Sequence, residues 1–273
     1  MEEGSAPRAP VPDFRVVVDT PGWRNVRPRI PDTPQRRTLE RQRSVRELVF
    51  GVQDGILTTL GIATGIGVAE GKNWFVLISG LLALLAGALS MGVGEYLGGK
   101  AEREVVQAAI DMEREEMATN PHDEFAEQVA YYKLKGFSSE EAHTIVLRLS
   151  QNPEIYLYEM MRDEFGIDPR IAEQTSLRPA FQMAASFAAG ALLPLVPYFF
   201  AWRGFWTLGV SLGLAVTGLF GIGYYAGTLT NRVNWHKGLE IVAYGMVVFA
   251  ISWAVGWLLP QLFGHPGISL TTG

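Results

Sequence analysis

Long apolar runs alternate with polar stretches along the chain, and the lengths of the runs are the first clue to its form. Residues 48–69 (LVFGVQDGILTTLGIATGIGVA) make 22 positions with a single charge, Asp54. At about 1.5 Å of helical rise per residue, such a run crosses the roughly 30 Å hydrocarbon core of a bilayer. A polar break at Glu70–Asn73 is followed by a second run over 74–98, which carries Glu95 near its end. Three more runs cover about 180–202, 205–228 and 239–260, separated by Arg203–Gly204 and by NRVNWHKG at 231–238. The pattern predicts an all-α membrane protein of five transmembrane helices. Gly209 with Gly213, and Gly223 with Gly227, are spaced for close helix packing in lipid, although small residues are frequent in such helices anyway.

Residues 100–178, between the second and third runs, break this pattern. They contain 17 Asp or Glu, about twice the number of Lys and Arg. The period is helical throughout. One helix runs from about Lys100 to Thr119 as a continuation of the second span, and Asn120–Pro121 breaks it. A second helix starts near Pro121 and stops at Gly136. Ser138 with Glu141 forms a capping box that opens a third, reaching about Gln151. Pro153 begins a fourth that ends near Gly166. The expected organisation is a Pro- and Arg-rich disordered tail (1–46), spans one and two (47–99), an acidic helical insert (100–178), spans three to five (179–262) and a short tail (263–273).

Composition narrows the chemistry. A mean hydropathy of +0.13 beside 19% charged residues requires that apolar and charged residues be segregated along the chain. The absence of cysteine excludes disulfides, zinc–thiolate sites and iron–sulfur clusters. Four scattered histidines make no His-rich metal site. An acidic insert argues against nucleic acid as a partner. The first 47 residues lack the apolar stretch of a signal peptide. Ten Arg precede the first span, while the loop between spans one and two has only Lys72 and that between three and four only Arg203. The positive-inside rule therefore puts the amino terminus, the insert and the 231–238 loop in the cytosol and the carboxyl terminus on the far side.

Charges inside the spans are the first candidates for chemistry. Asp54 shares a helical face with Glu47, Gly51 and Thr58, at offsets of -7, -3 and +4. A small, polar, acidic face suits a cation or proton path, and a structural carboxylate bonded to a neighbouring helix gives the same pattern. Met91 and Glu95 stand at i and i+4 on the second span, a thioether beside a carboxylate, although Met is also an ordinary packing residue. In the insert, Glu113 with Glu116 and Glu124 with Glu127 are i, i+3 pairs that present two carboxylates on one face, the arrangement that binds divalent cations. Met160, Met161 and Glu164 cluster within about a turn. The alternatives are a solvated acidic face and core methionines. Glu140 and His143 have the Glu-x-x-His spacing of di-iron helices, but only one copy exists and it opens a helix.

The segments VFGVQDGILTTLGIATG, GALSMGVGEYLGG, the acidic helices, EMMRDEFGID and PAFQMAASFAAGALLPLVPY together resemble the vacuolar iron transporter family over about residues 45–260. That resemblance implies a five-span homodimer that exports cytosolic Fe2+, and often Mn2+, in exchange for protons along a path at the dimer interface. The cargo ion would be the only metal, with no permanent cofactor. Carried across by position, the family's first-span aspartate falls on Asp54 and its second-span methionine on Met91. The glutamates of the insert fall on Glu113, Glu116, Glu124 and Glu127, and the methionine pair with its glutamate on Met160, Met161 and Glu164. Glu102, Glu104 and Glu115 are alternative registers for the first insert helix, and Gln107 stands where some members have an acid. A vacuolar-type membrane and a bacterial plasma membrane both fit. The competing readings are a membrane-anchored metal sensor or buffer and, from the single Glu-x-x-His, a di-iron oxidase. An enzyme is not expected.

Overall fold

The computed structural model describes residues 34–70, 72–173, 177–200, 205–229 and 234–263. Every regular element among them is helical. In chain order these are α1 (Pro34–Glu70), α2 (Asn73–Thr119), α3 (Pro121–Leu134), α4 (Ser139–Leu149), α5 (Pro153–Glu164), a 3-10 turn (Pro169–Glu173), α6 (Arg178–Leu195) with a 3-10 extension (Val196–Phe200), α7 (Phe205–Leu229) and α8 (Asn234–Leu262). Among the described residues five stretches are long and apolar enough to cross a bilayer: Val45–Glu70, a window within α2, Arg178–Phe200, Trp206–Thr228 and Trp235–Leu262. This is the five-span, all-α class that the apolar runs predict.

The chain divides into two compact units, one of Gly98–Thr175 and one of Asp32–Leu97 with Ser176–Gly273. One boundary differs from the sequence reading. The first helix begins at Pro34 rather than near residue 47, because the charged stretch PQRRTLERQRSVRE is made of good helix formers that continue the span. The expected 1–33 part of the tail, Arg203, Arg232 and the tail beyond Phe263 lie outside the described residues.

In the apolar unit, α1 packs against α6, α7 and α8. Ile56 and Leu60 are fully buried with Ala215 and Leu219 of α7, and Ile241, Val242 and Phe249 of α8 close around them. The approach to α6 is closer still. A Cβ on Gly190 would lie 2.1 Å from the carbonyl oxygen of Val52, and one on Gly55 would lie 2.2 Å from that of Phe187. Only glycine allows backbones to meet at that distance. Pro194 sits inside α6, and Ser211 Oγ of α7 donates to its carbonyl at 2.7 Å. Of the glycine pairs singled out by spacing, Gly223 does meet Gly238 of α8, whereas a Cβ on Gly209 or Gly213 would meet nothing among the described residues.

In the other unit, Val106, Ile110 and Met117 of α2 join Phe125, Val146, Tyr156, Leu157, Met160 and Met161 in one apolar core. Ser138 and Glu141 make the predicted capping box, with both reciprocal bonds present. The end of α3 is set by Gly136, whose φ of +99° closes the helix with a bond from Phe137 N–H to the carbonyl of Tyr132.

Candidate metal centre

The buried positions Val106, Ile110, Glu113 and Met117 follow one another at helical spacing on α2 and trace its inner face. Glu113 therefore points where a hydrophobic residue belongs, and it is 0% exposed. No hydrogen-bond donor among the described residues reaches either of its oxygens. Its neighbours are acids. Glu113, Glu116 and Glu124 each place a carboxylate oxygen within 4.8 Å of the others, and among the described residues they form the group of such ligands able to hold a metal. Glu124 comes from α3, so the group spans two helices.

Electrostatics extend the cluster. Burial pushes the Glu113 carboxyl up to about 8, with further contributions from Glu124, Glu164 and Glu116. Burial also raises Glu124, which feels Glu116, Glu127 and Glu164. Burial is again the largest cause of the raised Glu164, followed by Glu127 and Glu116. Five glutamates from α2, α3 and α5 thus share one field of like charge. Like charges in a partly desolvated site repel and resist ionising, and a divalent cation relieves both costs at once.

The polar residues around the cluster hold its helices together. Tyr156 of α5, fully buried, donates its hydroxyl to the main-chain carbonyl of Glu124 at 3.2 Å. Asp163 Oδ2 of α5 accepts from Gln128 Nε2 at 2.8 Å and from Lys135 Nζ at 2.5 Å. The sequence gives no signal for these links, because Gln128 and Asp163 stand 35 positions apart with no periodic relation.

The remaining candidates are placed as follows. Met160 and Met161 are buried in the insert's apolar core, at 2% and 0% exposure, next in sequence to the acidic face of α5. Glu102, Glu104 and Glu115 are exposed and outside the group of three. Gln107 donates to Asp111 at 2.9 Å on the solvent side of α2. His143 packs edge-on against Phe125 with ring centres 5.2 Å apart, and Glu140 is exposed. In the apolar unit, Asp54 and Thr58, one turn apart on α1, are both partly exposed, whereas Gly51, on the same helical face, packs against Ser186 and Met183 of α6. Glu47 is buried, Glu95 is partly exposed, and Met91 packs against Leu84, Phe187 and Ala191. Among the described residues the acids Glu47, Asp54 and Glu95 do not form a ligand group within one chain.

The VIT family model matches residues 45–257. A protein named vacuolar iron transporter 1 from Oryza sativa subsp. japonica is 31% identical over 214 residues, covering 77% of this chain and 83% of that protein. Vacuolar iron transporter 1 of Arabidopsis thaliana is 30% identical over 224 residues, covering 81% of this chain and 86% of that protein. The yeast protein CCC1, from Saccharomyces cerevisiae, is 28% identical over 220 residues, covering 77% and 67%.

Proposed function

The chain belongs to the VIT family, and on that premise we infer that it is a homodimeric antiporter that moves Fe2+ or Mn2+ out of the cytosol in exchange for protons. The observation that carries this reading is Glu113, a fully buried carboxylate that no donor among the described residues reaches and whose neighbours are Glu116, Glu124 and Glu164. Folding pays to bury such a group, and a bound divalent cation supplies the compensation.

On this reading Glu113, Glu116, Glu124, Glu127 and Glu164 gather the cation on the cytosolic side, with Met160 and Met161 as the softer donors. A thioether beside carboxylates favours Fe2+ and Mn2+ over Mg2+ and Ca2+. Asp54, with Glu47, Met91 and Glu95, lines the path through the bilayer. A carboxylate in a low-dielectric path gives up its proton when the metal arrives and takes one back when the metal leaves, which links the two fluxes. Asp54 and Thr58 are partly exposed on α1, and a second copy across a two-fold axis would double that face. The membrane is a vacuolar-type or a bacterial plasma membrane, with the insert and amino terminus cytosolic.

The test is metal-resolved flux. Purified protein in liposomes with an imposed pH gradient should move Fe2+ or Mn2+ and protons in opposite directions. Binding without flux would instead support a membrane-anchored sensor or buffer.

A further inference from the structure

Asp163 stands beside Glu164 on α5, yet it is bonded differently from the clustered glutamates. Its side chain is 8% exposed, and one oxygen accepts from both Gln128 and Lys135. Gln128 is 2% exposed, so its amide has no water to fall back on. Lys135 caps α3, where the helix dipole favours a cation, and its ammonium lies 4.3 Å from the ring centre of Tyr132. The φ of +99° at Gly136 turns the chain there and fixes where Lys135 sits. Asp163 is thus the buried end of a pair whose Lys135 end is 40% exposed.

A second link joins the same two helices. Tyr156 donates to the carbonyl of Glu124. On α3 the linked residues are Glu124 and Gln128, one turn apart, with Glu127 between them. On α5 they are Tyr156 and Asp163, with Met160 and Met161 between them and Glu164 next. Turning α5 by one residue is a rotation of about 100° and breaks both links. The links therefore fix the register in which Glu124 and Glu127 face Glu164.

We propose that Asp163 is a positioning residue of the acidic centre and not one of its ligands: with Gln128 and Lys135 it locks α5 to α3 against the repulsion of the clustered glutamates. This rests on the reading of that centre as a divalent-cation site. The charge pair matters most when no metal is bound, because the glutamates then push α2, α3 and α5 apart. Partners that orient ligands from behind commonly change metal affinity by about 10–100-fold when removed.

The test uses the full-length protein in detergent and Mn2+ titrated by calorimetry, with thermal melting in parallel. Asp163→Asn keeps size and can still accept from Gln128, but it loses the charge pair with Lys135. Its Mn2+ affinity should fall about 10-fold or more while the number of ions bound stays the same. The exchange Lys135→Asp with Asp163→Lys keeps net charge and restores the pair with its ends reversed, so it should recover most of the affinity. That recovery separates register from loss of charge or loss of fold. Unchanged affinity in Asp163→Asn overturns the proposal. So does a lost equivalent of bound metal, which would make Asp163 a ligand, and so does failure of the double exchange to recover affinity. Absence of Mn2+ binding in the wild-type protein overturns the cation-site reading and this proposal with it.

Discussion

Glu113 of α2 and Glu124 of α3 place carboxylate oxygens within 4.8 Å of each other, and both residues are buried. Two carboxylates at that range do not both ionise cheaply, so a shared proton or a metal must stand between them. The Glu113 carboxyl is pushed up to about 8 from 4.5, chiefly by burial and next by Glu124. Below 4.5 the folded and unfolded chains both hold this proton, and its burial costs little. As pH rises toward 8 the unfolded chain has released it and the folded chain has not, so the metal-free protein loses stability across that window. Glu113→Gln cannot ionise. The melting temperature of the metal-free variant should therefore gain on that of the wild type as pH rises through the window. Mn2+ should reverse the order at high pH, where it displaces the proton. A wild type that gains on the variant with rising pH, without metal, contradicts the assignment.

Removing the charges as a set tests the centre more bluntly. Replacing Glu113, Glu116, Glu124 and Glu127 together by Gln keeps size and polarity. Divalent affinity in calorimetry should be largely lost, and the apolar unit should melt as before. Retained wild-type affinity would move the site elsewhere.

The contact of α1 with α6 gives a prediction about packing. Gly190→Ala drives a methyl to 2.1 Å from the Val52 carbonyl oxygen, so the helices must separate. Overpacking of that kind costs about 1–3 kcal/mol, read as a lower melting temperature in detergent. Gly209→Ala faces open space and should leave melting unchanged in a monomer. If Gly209→Ala alone weakens a dimer seen by size-exclusion chromatography, its face belongs to the interface.

Assembly is tested on the face of Asp54. Ile56 is fully buried against α7 and α8, so a thiol there meets its own chain. Thr58 is partly exposed one turn from Asp54. Because the chain has no native cysteine, Thr58→Cys alone should cross-link into a dimer under mild oxidation. An active, monodisperse monomer that never cross-links argues against a path shared by two chains.

Much of the architecture was legible because membrane spans are written in composition: no other element needs some twenty apolar residues in a row. The capping box at Ser138 and Glu141 was legible because its two bonds are local. The centre was legible only in part. Spacing paired Glu113 with Glu116 and Glu124 with Glu127, each within one helix, whereas the tightest group joins Glu113 and Glu116 to Glu124 across two helices. Which acid of α2 turns inward depends on the register of Val106, Ile110 and Met117 against the core, and that register is a packing outcome. The Gln128–Asp163–Lys135 link was invisible for the same reason, since nothing local marks a contact made across 35 positions. Of the glycines that spacing singles out, Gly223 meets Gly238 while Gly209 and Gly213 face open space, and the closest α1–α6 approach, at Gly55 and Gly190, has no spacing signal across two distant helices.

Asp54 carries the central claim, because it is the only formal charge between Leu48 and Ala69 and is partly exposed on α1. Asp54→Asn preserves shape and hydrogen-bonding capacity but cannot exchange a proton. It should assemble as the wild type does, bind Mn2+ at the acidic centre, and lose proton-coupled transport. A purely structural carboxylate predicts the reverse, with poor assembly and residual transport in whatever fraction survives. The direct measurement is Fe2+ or Mn2+ flux into liposomes at matched protein amount and orientation, with lumenal pH followed at the same time. The account predicts coupled metal and proton movement in the wild type and neither in Asp54→Asn. Transport by the Asn variant at the wild-type rate, with the same proton movement, would contradict it.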